Sequence, residues 1–176
     1  MKALIRNHIG FIITIACLTW FWTGGIWNGI LGHPAGDLAD HLWGNEWFAS
    51  SLHRGEIPFW VRENYVPEKK VLWHIDPMGG LFRSIFWPIP VEWAWNLNVM
   101  WSLFFSSTMM YGFAYQLHRH RGTALVLALM LGTSSYLSGL IHSGLAEYLN
   151  IGWGIALLWS LQKQKWWLGG LFLGLC

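Results

Sequence analysis

The sequence is poor in charge and in cysteine. Only 11% of its 176 residues are charged, against roughly 25% in an average soluble domain. The two cysteines lie in apolar runs at opposite ends of the chain, which leaves no disulfide framework and no Cys-x-x-Cys motif. A formal net charge of +2 without a long basic run argues against a nucleic-acid partner. The motifs of common soluble enzymes, such as the P-loop and His-Glu-x-x-His, are absent too.

The chain is instead rich in apolar residues and tryptophan. Hydrophobic residues make up 54% of it and 15 residues are tryptophan, which concentrates where an apolar phase meets water. Long uncharged stretches predict an all-α polytopic membrane bundle of four to five transmembrane helices, with 1–176 as one integral-membrane domain. The predicted spans are 9–31, 93–116, 123–141, 144–161 and 166–176. Because the last is short for a span, we expect the N-terminal part of a longer protein.

The segment 32–92 differs sharply from the rest. It holds all six prolines, eight of the nine acidic residues and five basic ones, which predicts a long loop outside the membrane that contains short amphipathic helices. The basic residues elsewhere fall at every second boundary: Lys2, Arg6, Arg119, Arg121, Lys163 and Lys165. The positive-inside rule makes these boundaries cytoplasmic. We therefore expect a cytoplasmic N-terminus and an extracytoplasmic loop.

The start of this loop contains the main candidate site. Pro34 breaks the first span, Asp37 can cap a new helix, and Gly55 stops that helix. One predicted face carries Asp37, Asp40, His41 and Gly44, and the opposite face carries Leu38, Leu42, Ala49 and Leu52. Carboxylates beside an imidazole suit general-base or cation-binding chemistry. The alternative is an interfacial helix whose polar face is simply hydrated.

Other polar residues are candidates for substrate binding: His41, His74, Asp76, Arg83, His142 and Glu147. Arg83 stands among apolar residues and is the preferred partner for a phosphate group. Asp76 precedes a proline, which favours a turn residue that hydrogen-bonds to the local backbone. His142 and Glu147 lie at helix boundaries, where ionisable groups are often functional, although interfacial exposure also explains them. No metal-ligand motif is present, and a divalent cation is compatible with this chemistry without being required.

Several segments, in order, resemble the N-terminal part of the GT-C superfamily of polytopic membrane glycosyltransferases, especially its uncharacterised bacterial branches. They read GDLADHLW, HRGEIPFW, YVPEKKVLWH, WNLNVMW and SGLAEYLNIGWGIALL. The resemblance implies sugar transfer from a polyprenyl-phosphate donor to a lipid, glycan or protein acceptor, outside the bacterial inner membrane. It also implies a catalytic base in the first outer loop, a role that falls on Asp37 or Asp40. The choice stays open because the family's common Asp-Glu pair is absent.

Two other functions fit the same composition. One is a non-catalytic assembly subunit whose tryptophan-rich surfaces bind other membrane proteins. The other is part of a transporter for lipid-linked material, which an inverted repeat of these helices elsewhere in the protein would favour.

Overall fold

The computed structural model describes residues 2–24, 29–32, 38–56, 81, 83–144 and 151–173, without the side chains of 2–7 and of Asp40. Within these ranges every regular element is an α-helix, in agreement with the all-α prediction. The helices are α1 (Lys2–Trp22), α2 (Leu38–His53), α3 (Val91–His118), α4 (Arg121–Gly132), α5 (Ser135–Ser143), α6 (Ile151–Gln162) and α7 (Trp166–Leu173). A short helical turn also lies at 83–85.

The helix boundaries follow the predicted spans closely at α3 and diverge at α1. α3 extends the span 93–116 by two residues at each end. α1, in contrast, ends at Trp22, well short of the predicted limit at residue 31. The Thr23 hydroxyl donates to the Thr19 carbonyl at 2.9 Å, and Gly24 adopts a left-handed φ of +67°. This end of the helix is therefore formed by local hydrogen bonding and by a glycine conformation inside the apolar run.

Two further spans are also divided differently from the prediction. The span 123–141 corresponds to α4 and α5, which Thr133 and Ser134 separate. Gly144, predicted as the first residue of the next span, instead caps α5 with a φ of +78°. α6 begins at Ile151, and residues 145–150 lie outside the described ranges.

α3 is the central helix and packs against α1, α2, α4 and α6. α1 runs antiparallel to it, since His8 bonds to Tyr111 near the end of α3. α6 runs parallel to it, since the Gly152 amide donates to Ser106 and Gln162 accepts from Gln116 further along. One end of the bundle therefore gathers the start of α1, the end of α3, the start of α4 and the end of α6. We call this the basic end and the opposite end the loop end.

Two apolar clusters lie along α3. The loop-end cluster consists of Leu38, Trp95, Val99, Leu103 and Leu137. The basic-end cluster consists of Ile15, Tyr111, Ala114, Ala124 and Ala128. The alanines allow α4 to approach α3 closely, as small residues do in helix pairs.

A buried amide holds the non-helical residues 29–32 against α3. Asn96 is fully buried; its Oδ1 accepts from the Leu31 amide at 2.8 Å, and its Nδ2 donates to the Gly29 carbonyl at 2.5 Å. The Trp95 indole donates to the Leu31 carbonyl at 2.7 Å. Backbone groups packed on an apolar core need hydrogen-bond partners. Because residues 29–32 are not helical, Asn96 and Trp95 supply these partners.

We expect Asn96→Leu to lower the free energy of unfolding by about 2–3 kcal/mol, because it leaves the Leu31 amide and the Gly29 carbonyl without this partner. Chemical unfolding in mixed micelles measures the change. Gln162→Leu is the control. It removes an exposed side-chain hydrogen bond of 3.4 Å to Gln116 and should cost less than about 0.5 kcal/mol. Equal stability of Asn96→Leu and wild type would contradict the prediction.

Among the described residues, one stretch is long and apolar enough to cross a membrane: Arg121–Ser143, which comprises α4, its break and α5. Only 17% of its most apolar 18-residue stretch is buried inside the protein. His8–Trp22 and Ile151–Gln162 are shorter apolar helices. α3 is long enough, but its buried asparagines and serines make it less apolar. The exposed apolar surface of Arg121–Ser143 is the part of the structure that supports a membrane location.

Candidate functional site at the loop end

The acid-bearing helix α2 begins where the sequence predicts. Its first residue, Leu38, directly follows Asp37, and Gly55 lies just beyond its end with a left-handed φ of +72°. Leu38 is only 2% exposed and packs in the loop-end cluster with Trp95 and Val99. The first turn of α2 is therefore seated on the loop-end half of α3.

The same turn lies in direct contact with the end of α5. A Cβ atom on Gly144 would come within 2.6 Å of the Leu38 Cα and N atoms. A Cβ on Gly32 would lie 3.0 Å from the Leu38 Cδ2 and 3.2 Å from the Ile141 carbonyl oxygen. We call these four residues, Gly32, Leu38, Ile141 and Gly144, the loop-end junction. Two glycines in positive-φ conformations allow three chain segments to meet there.

Three of the candidate residues belong to the two helix turns that meet at the junction. Asp40 and His41 lie in the first turn of α2, and His142 lies in the last turn of α5. His41 is half-buried with its ring centroid 6.4 Å from that of Trp95, whereas His142 is exposed. The remaining candidates lie outside the described residues: Asp37, His74, Asp76 and Glu147.

The two faces of α2 differ from those predicted. Gly44 is predicted for the hydrated face with Asp40 but is buried, while Leu52 is predicted for the covered face and is exposed. The buried positions also include Asn45 and Ser51. The reason is that α2 contacts both α3 and the segment that precedes α3, so it is covered on more than one side.

Arg83 joins α2 to that preceding segment. It is 7% exposed, and its Nε donates to Glu46 Oε2 at 2.6 Å. Its Nη1 donates to the carbonyls of Phe86 at 3.2 Å, Trp87 at 3.1 Å and Ile89 at 2.6 Å. The guanidinium carbon also lies 4.8 Å from the Trp87 ring centroid. Arg83 is the predicted phosphate partner, but its Nε and Nη1 donate their hydrogen bonds to groups of the protein itself.

Sequence reasoning missed Glu46 as the partner of Arg83. Glu46 is six residues beyond Asp40 in α2, which corresponds to roughly 9 Å along the helix axis and to a different side of the helix. His53 lies in the same region, since its ring stands 4.8 Å from that of Trp87. The available signal was the single arginine among apolar residues, because a buried cation requires a nearby acid.

The loop end thus contains two separate polar regions on α2. The junction at its first turn carries Asp40, His41 and the neighbouring His142, whereas the Arg83–Glu46 pair lies further along the helix. In the part of the chain that the structure describes, no three His, Cys, Asp or Glu residues form a potential metal-binding group. No family model, curated protein or solved structure matches the chain.

Proposed function

We propose that this chain forms part of a polytopic membrane glycosyltransferase of the GT-C type. The enzyme transfers a sugar from a polyprenyl-phosphate donor to a lipid, glycan or protein acceptor outside the bacterial inner membrane. The observation that carries the proposal is the loop-end junction, where the acid-bearing first turn of α2 packs on the end of α5. In this proposal the turn lies at the membrane surface, where the phosphate of a lipid-linked donor would meet its carboxylates.

The charge distribution supports the orientation of the protein. Arg119 follows α3 and Arg121 is the first residue of α4, while Lys163 and Lys165 lie between α6 and α7, so all four are at the basic end. The positive-inside rule then makes this end cytoplasmic and the loop end extracytoplasmic. In this proposal α1, α3, α4 with α5, α6 and α7 form a bundle of four to five spans, with the N-terminus in the cytoplasm.

The proposed chemistry is an inverting displacement. Asp37 or Asp40 removes the proton from the acceptor hydroxyl, and the acceptor oxygen forms a bond to the anomeric carbon. The bond from that carbon to the donor phosphate oxygen breaks, and polyprenyl phosphate leaves with the electron pair. His41 lies in the first turn of α2 and His142 in the last turn of α5, and in this proposal their ring N–H groups donate hydrogen bonds to the departing phosphate.

The test is replacement of the two acids. In the complete protein, we expect Asp37→Asn or Asp40→Asn to reduce sugar transfer at least about 100-fold, the usual contribution of a general base. Labelled sugar transfer from a polyprenyl-phosphate donor in membranes is the measurement. Glu56→Gln is the matched control, since Glu56 is an exposed loop carboxylate that pairs with Arg54 beyond the end of α2. Unchanged product in both single variants and in the double variant would refute the assignment.

A second function, transport of lipid-linked material, is favoured by the interrupted helices. α1 ends at Trp22 and α4 ends before Thr133, and both residues border one small cavity with Leu103 and Ser107. Helices that break at a common depth are typical of transporters. Movement of the lipid-linked substrate across liposomes without cleavage would support transport, and release of its sugar would support transfer.

A further inference from the structure

A mainly apolar cavity of about 280 Å³ opens beside α6, near the basic end of the bundle. Ala156 on α6 and Leu168 and Phe172 on α7 line it, together with Lys163 and Lys165. The two lysines follow the last turn of α6, whereas Ala156 lies about two turns earlier. The cavity therefore combines an apolar wall with two cations at the edge that faces the basic end. We call it the lysine-edged groove.

The position of Lys163 is set by a fixed aromatic ring. Its Nζ lies 4.7 Å from the Trp159 ring centroid, a cation–π distance. The Trp159 indole in turn donates to Gln116 Oε1 at 2.5 Å. The ring also fills the space above Gly112, where a Cβ would lie only 2.6 Å from it. The Lys163 ammonium thus lies beside this ring at the edge of the groove.

The position of Lys165 is set by the turn that ends α6. Gln164 has a left-handed φ of +55° although it is not glycine. The turn is closed by hydrogen bonds from the Gln164 amide to the Leu161 carbonyl and from the Lys165 amide to the Ser160 carbonyl, both 2.9 Å. These two bonds form the Schellman motif, which ends many helices with a left-handed residue. The turn brings both lysines to the same groove.

The groove has a positive charge that no nearby acid in the sequence offsets. From residue 93 to 176 the only acidic residue is Glu147, which precedes α6, whereas the lysines follow it. Among the described residues neither lysine forms an ion pair. Trp166 and Trp167 next to them are highly exposed, as expected for tryptophans at a membrane surface. An anion with an apolar tail would complement this groove in both charge and polarity.

We propose that the lysine-edged groove binds an anionic phospholipid of the cytoplasmic leaflet. The headgroup phosphate lies between Lys163 and Lys165, and an acyl chain lies along Ala156, Leu168 and Phe172. A basic pocket between membrane helices on the cytoplasmic side is a site of this chemistry. If a purely apolar helix occupied the groove instead of a lipid, both lysines would be left without a counter-charge. The assignment depends on the membrane orientation proposed above and is independent of sugar transfer.

The test is lipid retention by the complete protein, purified in mild detergent and titrated with phosphatidylglycerol or with phosphatidylcholine of the same acyl chains. Native mass spectrometry counts the retained lipids. We expect wild type to prefer phosphatidylglycerol and the Lys163→Gln/Lys165→Gln variant to lose about tenfold in apparent affinity for it. Arg119→Gln/Arg121→Gln is the matched control, since it removes two charges at the same end but outside the groove, and should retain the wild-type preference.

Several outcomes would overturn the proposal. They are equal retention of the two lipids by wild type, an equal loss in both double variants, or competition by free glycerol phosphate as effective as that of the whole lipid. A helical partner or a second copy that occupies the groove would also overturn it. Asp40→Asn should leave lipid retention unchanged, so failure of this proposal and failure of the proposed transferase activity can be distinguished.

Discussion

Arg83→Ala is expected to lower the free energy of unfolding by about 3 kcal/mol or more and to detach α2 from the segment before α3. The arginine is almost completely buried, and it bonds to Glu46 and to three backbone carbonyls. Removing it leaves these acceptors without their cation, a change that typically costs several kcal/mol in protein interiors. The expected cost is only about 3 kcal/mol because Glu46 is 43% exposed, so water can partly solvate the carboxylate that loses its partner.

The measurement is chemical unfolding of the purified complete protein in mixed micelles. Arg54→Ala is the matched control: it breaks the exposed pair with Glu56 and should cost no more than about 1 kcal/mol. Arg83→Lys should remain destabilised, because an ammonium group cannot reproduce the planar fork that reaches Glu46 and the carbonyls together. If Arg83→Ala is as stable as Arg54→Ala and loses sugar transfer, Arg83 acts on the substrate and its structural role is contradicted.

Gly144→Ala is expected to lower the free energy of unfolding by about 2–4 kcal/mol and to displace the first turn of α2. Two costs combine. The left-handed backbone at this position disfavours any side chain by about 1–2 kcal/mol, and the new methyl group would collide with the backbone of Leu38 at 2.6 Å. Backbone atoms cannot move aside as the end of a flexible side chain can, so overpacking adds to the strain.

Gly55→Ala separates these two costs. Gly55 has a similar φ of +72°, but a Cβ atom added there would have no neighbour within 4 Å, so its substitution should cost only the conformational term, about 1–2 kcal/mol. Unfolding and sugar transfer are measured for both variants. Because the junction carries the proposed base, Gly144→Ala should also reduce transfer, whereas Gly55→Ala should not. Equal effects of the two variants on both measurements would mean that the contact between α2 and α5 has no role in the site.

Local sequence signals predict the ends of α3 and α2 more closely than the end of α1. The apolar run begins at Trp93 and the basic cluster begins at His118, so both predicted ends of α3 lie within two residues of the observed ones. α2 likewise begins at Leu38, directly after Asp37 in the sequence, and ends at His53, two residues before Gly55. α1 ends before the limit of the predicted first span, because the composition stays apolar to residue 31 and does not indicate a helix end at Gly24.

The candidate site could be predicted only in part. The sequence places acids at the start of α2, and the structure adds that this turn packs on the end of α5, far away in the chain. The roles of Asp37 and Asp40 as bases stay predictions. The role expected for Arg83 changed most, since the Glu46 contact joins residues 37 positions apart. No periodicity relates them, because two separate segments pack to bring them together.

The sequence by itself determined the helical class, the separation of charged loop from apolar helices and the gathering of basic residues at alternate boundaries. These properties depend on composition and on neighbours a few positions apart. The tertiary structure decided which polar residues meet. Asn96 holds Leu31 across 65 positions, and Lys163 and Lys165 meet the apolar wall of one groove. Such pairings arise because buried polar groups must find partners, and only the packed arrangement of helices determines which partners lie within reach.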